Sequence, residues 1–472
     1  MRWTPSSLAA ACGGVLRRAS ERAIATAFLD SRAPRTDALF VPILAQRDGH
    51  DYVASAIAGG ASAVLAARED VVRALVSGPD DVTVIEVDDT LRALQALAHD
   101  ARDRIMGPVV AITGSNGKTT TRAFAAQALA TSLRPTGCTR GNLNNHLGVP
   151  LTLLDEPHEA AATVVELGMS APGENALLGS LVRPDVAIVT SIALEHLEFM
   201  GSIEAIAAAE LEVLPFVRPG GALVIPDDEP LLDALLTPEA LRGTTVLTVG
   251  YGRGERAPYV RIVEAELALV PEPRTRAVLE VAGGQRVRVE LRPFGLHNAR
   301  NAASALAMAH HLGIDLTAAA EALSTVEPVG DRGRVVARGL TTFLADCYNA
   351  NPGSMEAALR SLAAVRVPND VTKIAVLADM LELGPSSAAL HAELGRLVAE
   401  LGITQLVAVG PESRRTAQVA ASEGVRVRWC AAPDLDAIAA ALQDMLPESR
   451  RALVLLKGSR GMRLERILDL GT

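Results

Sequence analysis

Lysine is nearly missing from this chain. Of 45 basic residues only Lys118, Lys373 and Lys457 are lysines, so each marks a place where a compact ammonium on a flexible stem does what arginine does poorly. Cysteine is also scarce. Cys12, Cys138, Cys347 and Cys430 are scattered with no C-x-x-C pair, a spacing that excludes a structural zinc site and fits a reducing compartment. No apolar run approaches the ~18 residues of a membrane span. Positive charge is in deficit: the net charge of −10 argues against broad nucleic-acid binding but leaves room for an anionic ligand in a local basic pocket. The apolar content of 49% and charged content of 21% describe a globular chain rather than a disordered one. The run Leu8 to Leu16 imitates a signal-peptide core, yet Thr4 can cap a helix, Pro5 suits its first turn and Gly13-Gly14 ends it. The expected location is cytoplasmic.

Against this background one stretch stands out, Gly114-Ser115-Asn116-Gly117-Lys118-Thr119-Thr120. It follows the apolar run Val109-Val110-Ala111-Ile112 and precedes a helical pattern from Thr121 to Leu129. Strand, glycine loop and helix is the setting in which backbone N–H groups and a helix N-terminus cradle phosphates. Lys118 can place a charge on the outer phosphates and Thr119 a hydroxyl on Mg²⁺. A standard Walker A loop would have glycine at position 112, where Ile112 stands. The shorter pattern is also that of an ordinary glycine turn.

Length predicts about three domains. Residues 1–105 read as a small α/β unit with strands at Ala38-Val41, Ala63-Leu65 and Val82-Val87 and a helix from Leu91 to Ile105. Residues 106–325 hold the glycine loop and strands at Val109-Thr113, Thr163-Leu167, Val186-Thr190 and Ala222-Ile225. Helices between them predict a doubly wound, mostly parallel sheet. Alternating residues from Tyr259 to Leu291 suggest antiparallel strands, and Asn298 to Leu312 a long helix. Residues 326–472 restart the alternation in a second, Rossmann-like α/β unit, with strands at Thr341-Ala345, Ile374-Leu377, Leu406-Val409 and Ala452-Leu456. Two such units flanking a cleft suit an enzyme that closes on its substrates.

Three further features carry chemistry. Gly141-Asn142-Leu143-Asn144-Asn145-His146 packs amide side chains into one turn, either as a purely structural asparagine turn or as a ligand contact. Glu166 ends a strand, where ligands gather in such sheets, and is a candidate Mg²⁺ ligand. His196 follows the next strand, as a structural histidine or as a partner of metal or phosphate.

Together these pieces resemble the Mur ligase family of ATP-dependent amide-forming enzymes. The most specific matches are Asp346-Cys347-Tyr348-Asn349-Ala350-Asn351-Pro352-Gly353-Ser354-Met355, Asp379-Met380-Leu381-Glu382-Leu383-Gly384 with His391, and Lys457-Gly458-Ser459-Arg460-Gly461-Met462. Asp30-Ser31-Arg32 and Asp48-Gly49-His50-Asp51 resemble the family's uridine-nucleotide region. Within the family these motifs match the member that adds D-alanyl-D-alanine to UDP-N-acetylmuramoyl-tripeptide. The resemblance implies ATP, Mg²⁺ and a monomer; the net charge and the short apolar runs point to no nucleic acid and no membrane span. It assigns Gly114 to Thr120 to the ATP phosphates, with Lys118, Glu166 and His196 catalytic. Thr119, Glu166 and His196 would hold magnesium. Asn298 would contact adenine, while Arg332 and Asp346 would reach the nucleotide from the C-terminal unit. Ser31, Arg32, Asn142 and Asn145 would hold the UDP-sugar. Asn349, Asn351 and Lys457 would lie near the dipeptide or the developing charge. Another Mur-type or folylpolyglutamate-type ligase, or a non-catalytic nucleotide-binding homologue, are the alternatives.

The chain also departs from the family pattern. The resemblance places a carbamylated, metal-binding lysine at Glu210, so this carboxylate either stands in for the carbamate or is a solvated helix residue. Ala193 replaces a glycine, Pro226 an asparagine, Ala345 an aspartate and Ala378 a glycine.

Overall fold

A computed structural model describes residues 3–155, 160–446 and 451–469. Three sheets organise it. The first orders its strands Val15–Arg18, Thr83–Glu86, Ala63–Ala66, Ala38–Phe40, Thr26–Phe28; the first pair is antiparallel and the rest parallel. The helix Pro5–Cys12 opens the unit as its sequence predicts: the Thr4 hydroxyl accepts from Ser7 N, and Gly13 closes it at φ 68°.

The central sheet begins with six parallel strands in the order Thr136–Cys138, Ala162–Glu166, Val109–Thr113, Val186–Val189, Ala222–Pro226, Thr245–Gly250. Val109–Thr113 is buried at every position, as a central parallel strand covered on both faces must be. Val260–Ala268 joins in parallel, then Arg274–Val281 and Arg286–Leu291 run antiparallel. The last two alternate buried and less buried residues, the half-solvated pattern the sequence suggested. The third sheet orders Arg332–Arg338, Thr341–Asp346, Ala452–Lys457, Thr372–Ala378, Gln405–Val409, Arg426–Cys430, with only the first pair antiparallel.

The first two sheets share one apolar core. Leu94, Leu97 and Ala101 on the helix Thr90–Arg104 belong to the same buried cluster as Leu153, Leu181 and Val189 of the central unit. Arg102 fixes this junction, donating to the carbonyls of Val182, Ile105 and Arg183. The C-terminal unit docks with Phe294 in its apolar cluster and Leu267 and Leu269 packed against that cluster, and hydrogen bonds run beside them. Phe294 N donates to Gly333 O at 2.8 Å, and Leu296 N donates to Ser361 Oγ at 3.1 Å. Gly333, at φ 69°, is needed there because a Cβ would lie 2.5 Å from Phe294 O.

Candidate active site

The glycine loop leaves the carboxyl end of Val109–Thr113 and enters the helix Lys118–Leu129. Gly114 sits at φ 114°, where a Cβ would fall 2.3 Å from Thr190 Oγ1; only glycine lets the loop lie that close to the neighbouring strand end. Gly117 caps the helix at φ 91°. Three loop amides are spent inside the protein. Gly114 N donates to Glu210 Oε2 at 2.9 Å, Ser115 N to Ser191 O at 2.8 Å and Asn116 N to Ser191 Oγ at 3.0 Å. The first bond within the helix runs from Thr121 N to Gly117 O, so the amides of Lys118, Thr119 and Thr120 have no intrahelical acceptor. The set of amides open to a ligand is therefore narrower than the whole loop.

Lys118 donates from Nζ to Gly114 O at 2.6 Å and lies 3.9 Å from Glu195 Oε1. Burial alone would lower its pKa; the carboxylates of Glu195, Glu210 and Glu166 raise it instead. Burial pushes Glu195 up to about 8 against the pull of Lys118. Glu210 is raised for the same reason. It is 1% exposed, so it is not a solvated helix residue. Its Oε2 accepts from Thr113 Oγ1, Gly114 N and Asn175 Nδ2, which makes it an anchor for the start of the loop.

Glu166 is 3% exposed. Its Oε1 accepts from Thr119 Oγ1 at 3.3 Å and Asn144 Nδ2 at 3.0 Å. Its Oε2 is buried without a hydrogen bond, although Arg122 Nη1 lies 3.2 Å away. A buried carboxylate oxygen with spare acceptor capacity beside a threonine hydroxyl suits a hard divalent cation, so these residues fit magnesium. His196 sits one residue beyond Glu195 at φ 48°, with Nδ1 2.5 Å from Glu382 Oε2. Asp331, Cys347 and Glu465 also bring ligand-type atoms within 4.8 Å of one another. Arg334 and Arg460 face those carboxylates as Arg122 faces Glu166; what makes this group the poorer fit for a hard cation is the Cys347 thiol, which burial holds up to about 12.

The C-terminal unit brings its long motif onto the loop. Asn351 and Asn116 exchange side-chain amide hydrogen bonds at 3.0 and 3.2 Å, while Asn351 also caps the helix Pro352–Ala364. The Arg332 guanidinium stacks 3.4 Å from the centre of the Tyr348 ring. Lys457 is 2% exposed; its ammonium meets Asp346 Oδ2 at 3.0 Å and the carbonyls of Asp346 and Asn349 at 3.1 Å. Burial opposes ionisation of Asp346, but Lys457, His297 and Arg332 hold its pKa below the usual range. Asn298 is buried and accepts from Asn301 Nδ2 at 3.0 Å. Asn301 in turn lies against Gly117, where a Cβ would come 2.5 Å from its Oδ1.

The model of the Mur ligase middle domain matches residues 112–309, and that of the Mur ligase glutamate ligase domain residues 331–460. The UDP-N-acetylmuramoyl-tripeptide--D-alanyl-D-alanine ligase of Bacillus subtilis is 34% identical over 93% of this chain and 91% of its own length. The chain belongs to the Mur ligase family. Its fold is similar to that of MurF from Acinetobacter baumannii, with TM-score 0.86 and 29% identity over 99% of this chain and 98% of that one. It is also similar to MurF from Thermotoga maritima in complex with ADP, with TM-score 0.78 and 26% identity over 94% of this chain and 96% of that one.

This Mur ligase keeps the expected sugar-nucleotide residues outside the loop cluster. Arg32 is paired with Asp30 at 2.8 Å and its side chain is 89% exposed, and Ser31 is half-buried beside it. Asn142 is exposed. Asn145 Oδ1 accepts from Leu147 N and Gly148 N, capping the helix Gly148–Asp155. The inward member of the turn is Asn144. Sequence reading also missed Arg122, Asn175, Ser191 and Asn301, which lie in no motif, and gave no role to Glu195, the neighbour of His196, or to Glu382, which lies in the motif Asp379 to Gly384. The proximity of Glu195 to His196 was the available signal.

Proposed function

We propose that this Mur ligase joins D-alanyl-D-alanine to UDP-N-acetylmuramoyl-tripeptide at the expense of ATP, giving ADP and phosphate in peptidoglycan precursor synthesis. The observation that carries the reading is the Asn116–Asn351 pair. It brings the phosphate loop and the motif shared with the dipeptide-adding ligases into one site. ADP, the nucleotide product in this reading, is the ligand of the Thermotoga maritima MurF complex.

In this reading the free amides of Lys118, Thr119 and Thr120 and the Lys118 ammonium receive the outer phosphates. The tripeptide carboxylate attacks the γ-phosphorus and ADP leaves, so the acid becomes an acyl phosphate. The amine of the dipeptide then attacks the acyl carbon, and the tetrahedral adduct expels phosphate. The transfer asks mostly for positioning and charge stabilisation. Thr119, Glu166 and His196 would hold magnesium, which supplies neutralisation of phosphate charge. Glu210 and Ser191 keep the loop in shape. Asn298 would contact adenine, with its side-chain oxygen held by Asn301. Arg332, stacked on Tyr348, and Asp346, fixed by Lys457, approach from the C-terminal unit. Lys457 acts through Asp346 and Asn349 rather than on the dipeptide directly. Ser31, Arg32, Asn142 and Asn145 are the proposed sugar-nucleotide contacts.

The working division is residues 1–105 for the UDP-substrate, 106–325 for ATP and 326–472 for closure and the dipeptide. The protein is a cytoplasmic monomer in this proposal. Its four cysteines are free, as a reducing compartment keeps them, and no helix among the described residues is long and apolar enough to cross a membrane. The test is phosphate release with each substrate varied. Release that needs ATP, UDP-N-acetylmuramoyl-tripeptide and D-alanyl-D-alanine together is expected. Release with a different amine acceptor, or none with any pair, would sink the proposal.

A further inference from the structure

Two turns from different sheets meet at His196. The ring Nδ1 lies 2.5 Å from Glu382 Oε2, and Glu382 O accepts from Glu198 N at 3.2 Å. His196 and Glu382 both hold positive φ, 48° and 63°. Non-glycine residues rarely adopt that region, and those that do cluster where the surroundings over-determine a functional geometry. Gly384 turns the chain at φ 55°, in the left-handed region, and lies against the first turn: a Cβ there would make ordinary contact with Glu198 Cα at 3.5 Å. The turn at 382–384 is thus shaped to seat on the turn at 196–198, with one carboxylate pointed at one ring nitrogen.

We propose that Glu382 is a positioning residue for His196. Its carboxylate, delivered by the C-terminal unit, holds Nδ1 so that Nε2 is the nitrogen offered to the divalent cation of the nucleotide site. The inference rests on the reading of His196 as a magnesium ligand. A carboxylate that accepts the Nδ1–H fixes the tautomer and the ring plane of a metal-binding histidine. Because the two residues belong to different units, docking of the C-terminal unit and cation binding favour each other, and the coupling is reciprocal. The sequence marks Glu382 only as part of a motif; the structure supplies its partner.

The test uses the full-length enzyme, a saturating non-hydrolysable ATP analogue and Mn²⁺ as the probe, with affinity read by electron paramagnetic resonance. Glu382→Ala is expected to weaken Mn²⁺ binding about 10–100-fold, the usual range for losing such a partner. Glu382→Gln, which keeps an acceptor oxygen, should weaken it less. In a His196→Ala background the Glu382→Ala change should add nothing further, which a merely structural role would not produce. If Glu382→Ala fails to fold, Glu382→Gln in both backgrounds decides. Wild-type Mn²⁺ affinity in the Glu382 variants, with His196→Ala impaired, would overturn the positioning role alone. Wild-type affinity in His196→Ala would overturn that role together with the magnesium reading of His196.

Discussion

Glu210 gives one carboxylate oxygen to three donors, and two of them, Gly114 N and Thr113 Oγ1, define where the glycine loop starts. Glu210→Ala leaves those buried donors unpaired, a loss of about 1–3 kcal/mol in stability, measurable by denaturant unfolding. The KM for ATP should rise with it, because the loop loses its anchor. A metal role would add a higher Mg²⁺ requirement; an unchanged Mg²⁺ dependence removes that role and leaves the anchor. Glu195 makes a different prediction at the same ammonium. Its folded pKa, raised by burial to about 8 from 4.5, exceeds its unfolded value. Its contribution to stability is therefore fully present below the unfolded value and lost as pH rises through about 8. Glu195→Gln should flatten the fall in stability of the ligand-free enzyme over that window. A parallel pH profile for the two proteins would refute this.

At the scale of elements, the asparagine turn separates capping from recognition. Asn145 holds the first turn of Gly148–Asp155 through two backbone amides, so Asn145→Ala should cost about 1 kcal/mol. Asn145→Asp keeps the cap, and restored stability with a raised KM for the UDP-substrate would show a separate ligand role. An unchanged KM in both variants would leave only the cap. Buried strands such as Val109–Thr113 and Ala452–Lys457 were legible because a short, nearly continuous apolar run between helical patterns has one economical reading. Val15–Arg18 and Arg426–Cys430 were not. Both are edge strands carrying arginines with half-exposed patterns, and their pairing is decided by neighbours distant in sequence. The site divides in the same way. Lys118, Glu166, His196 and Asn351 stand in motifs. Asn301 reaches the loop at Gly117 and Arg122 reaches Glu166 from helix faces that local sequence does not distinguish, and the burial of Glu210 follows only from how its helix packs.

The whole molecule depends on how the C-terminal unit lands on the loop, and Ala193 and Gly353 report on that landing. A Cβ at Gly353 would lie 2.9 Å from the Ala193 methyl, well inside the ~3.5–4.0 Å of a comfortable carbon contact. The methyl at 193, where the family pattern has glycine, thus takes the space that a side chain at 353 would fill. Beside this contact runs the Asn116–Asn351 amide pair, which tolerates little displacement before both bonds stretch. Gly353→Ala should therefore have opposite effects on folding and on closure. Position 353 lies in the helix Pro352–Ala364, so alanine should favour the helix by roughly 0.5–1 kcal/mol. The clash should meanwhile cost the docked state about 1–3 kcal/mol, as overpacking does, or roughly 5- to 150-fold in kcat/KM if docking precedes chemistry. Ala193→Gly in the same chain removes the obstructing methyl and should restore most of the rate, whereas Ala193→Gly alone should change it little. Steady-state kinetics on the four proteins of that cycle, with unfolding measured in parallel, test the argument. Additive losses, with no rescue in the double variant, would mean that the two units do not meet here during turnover.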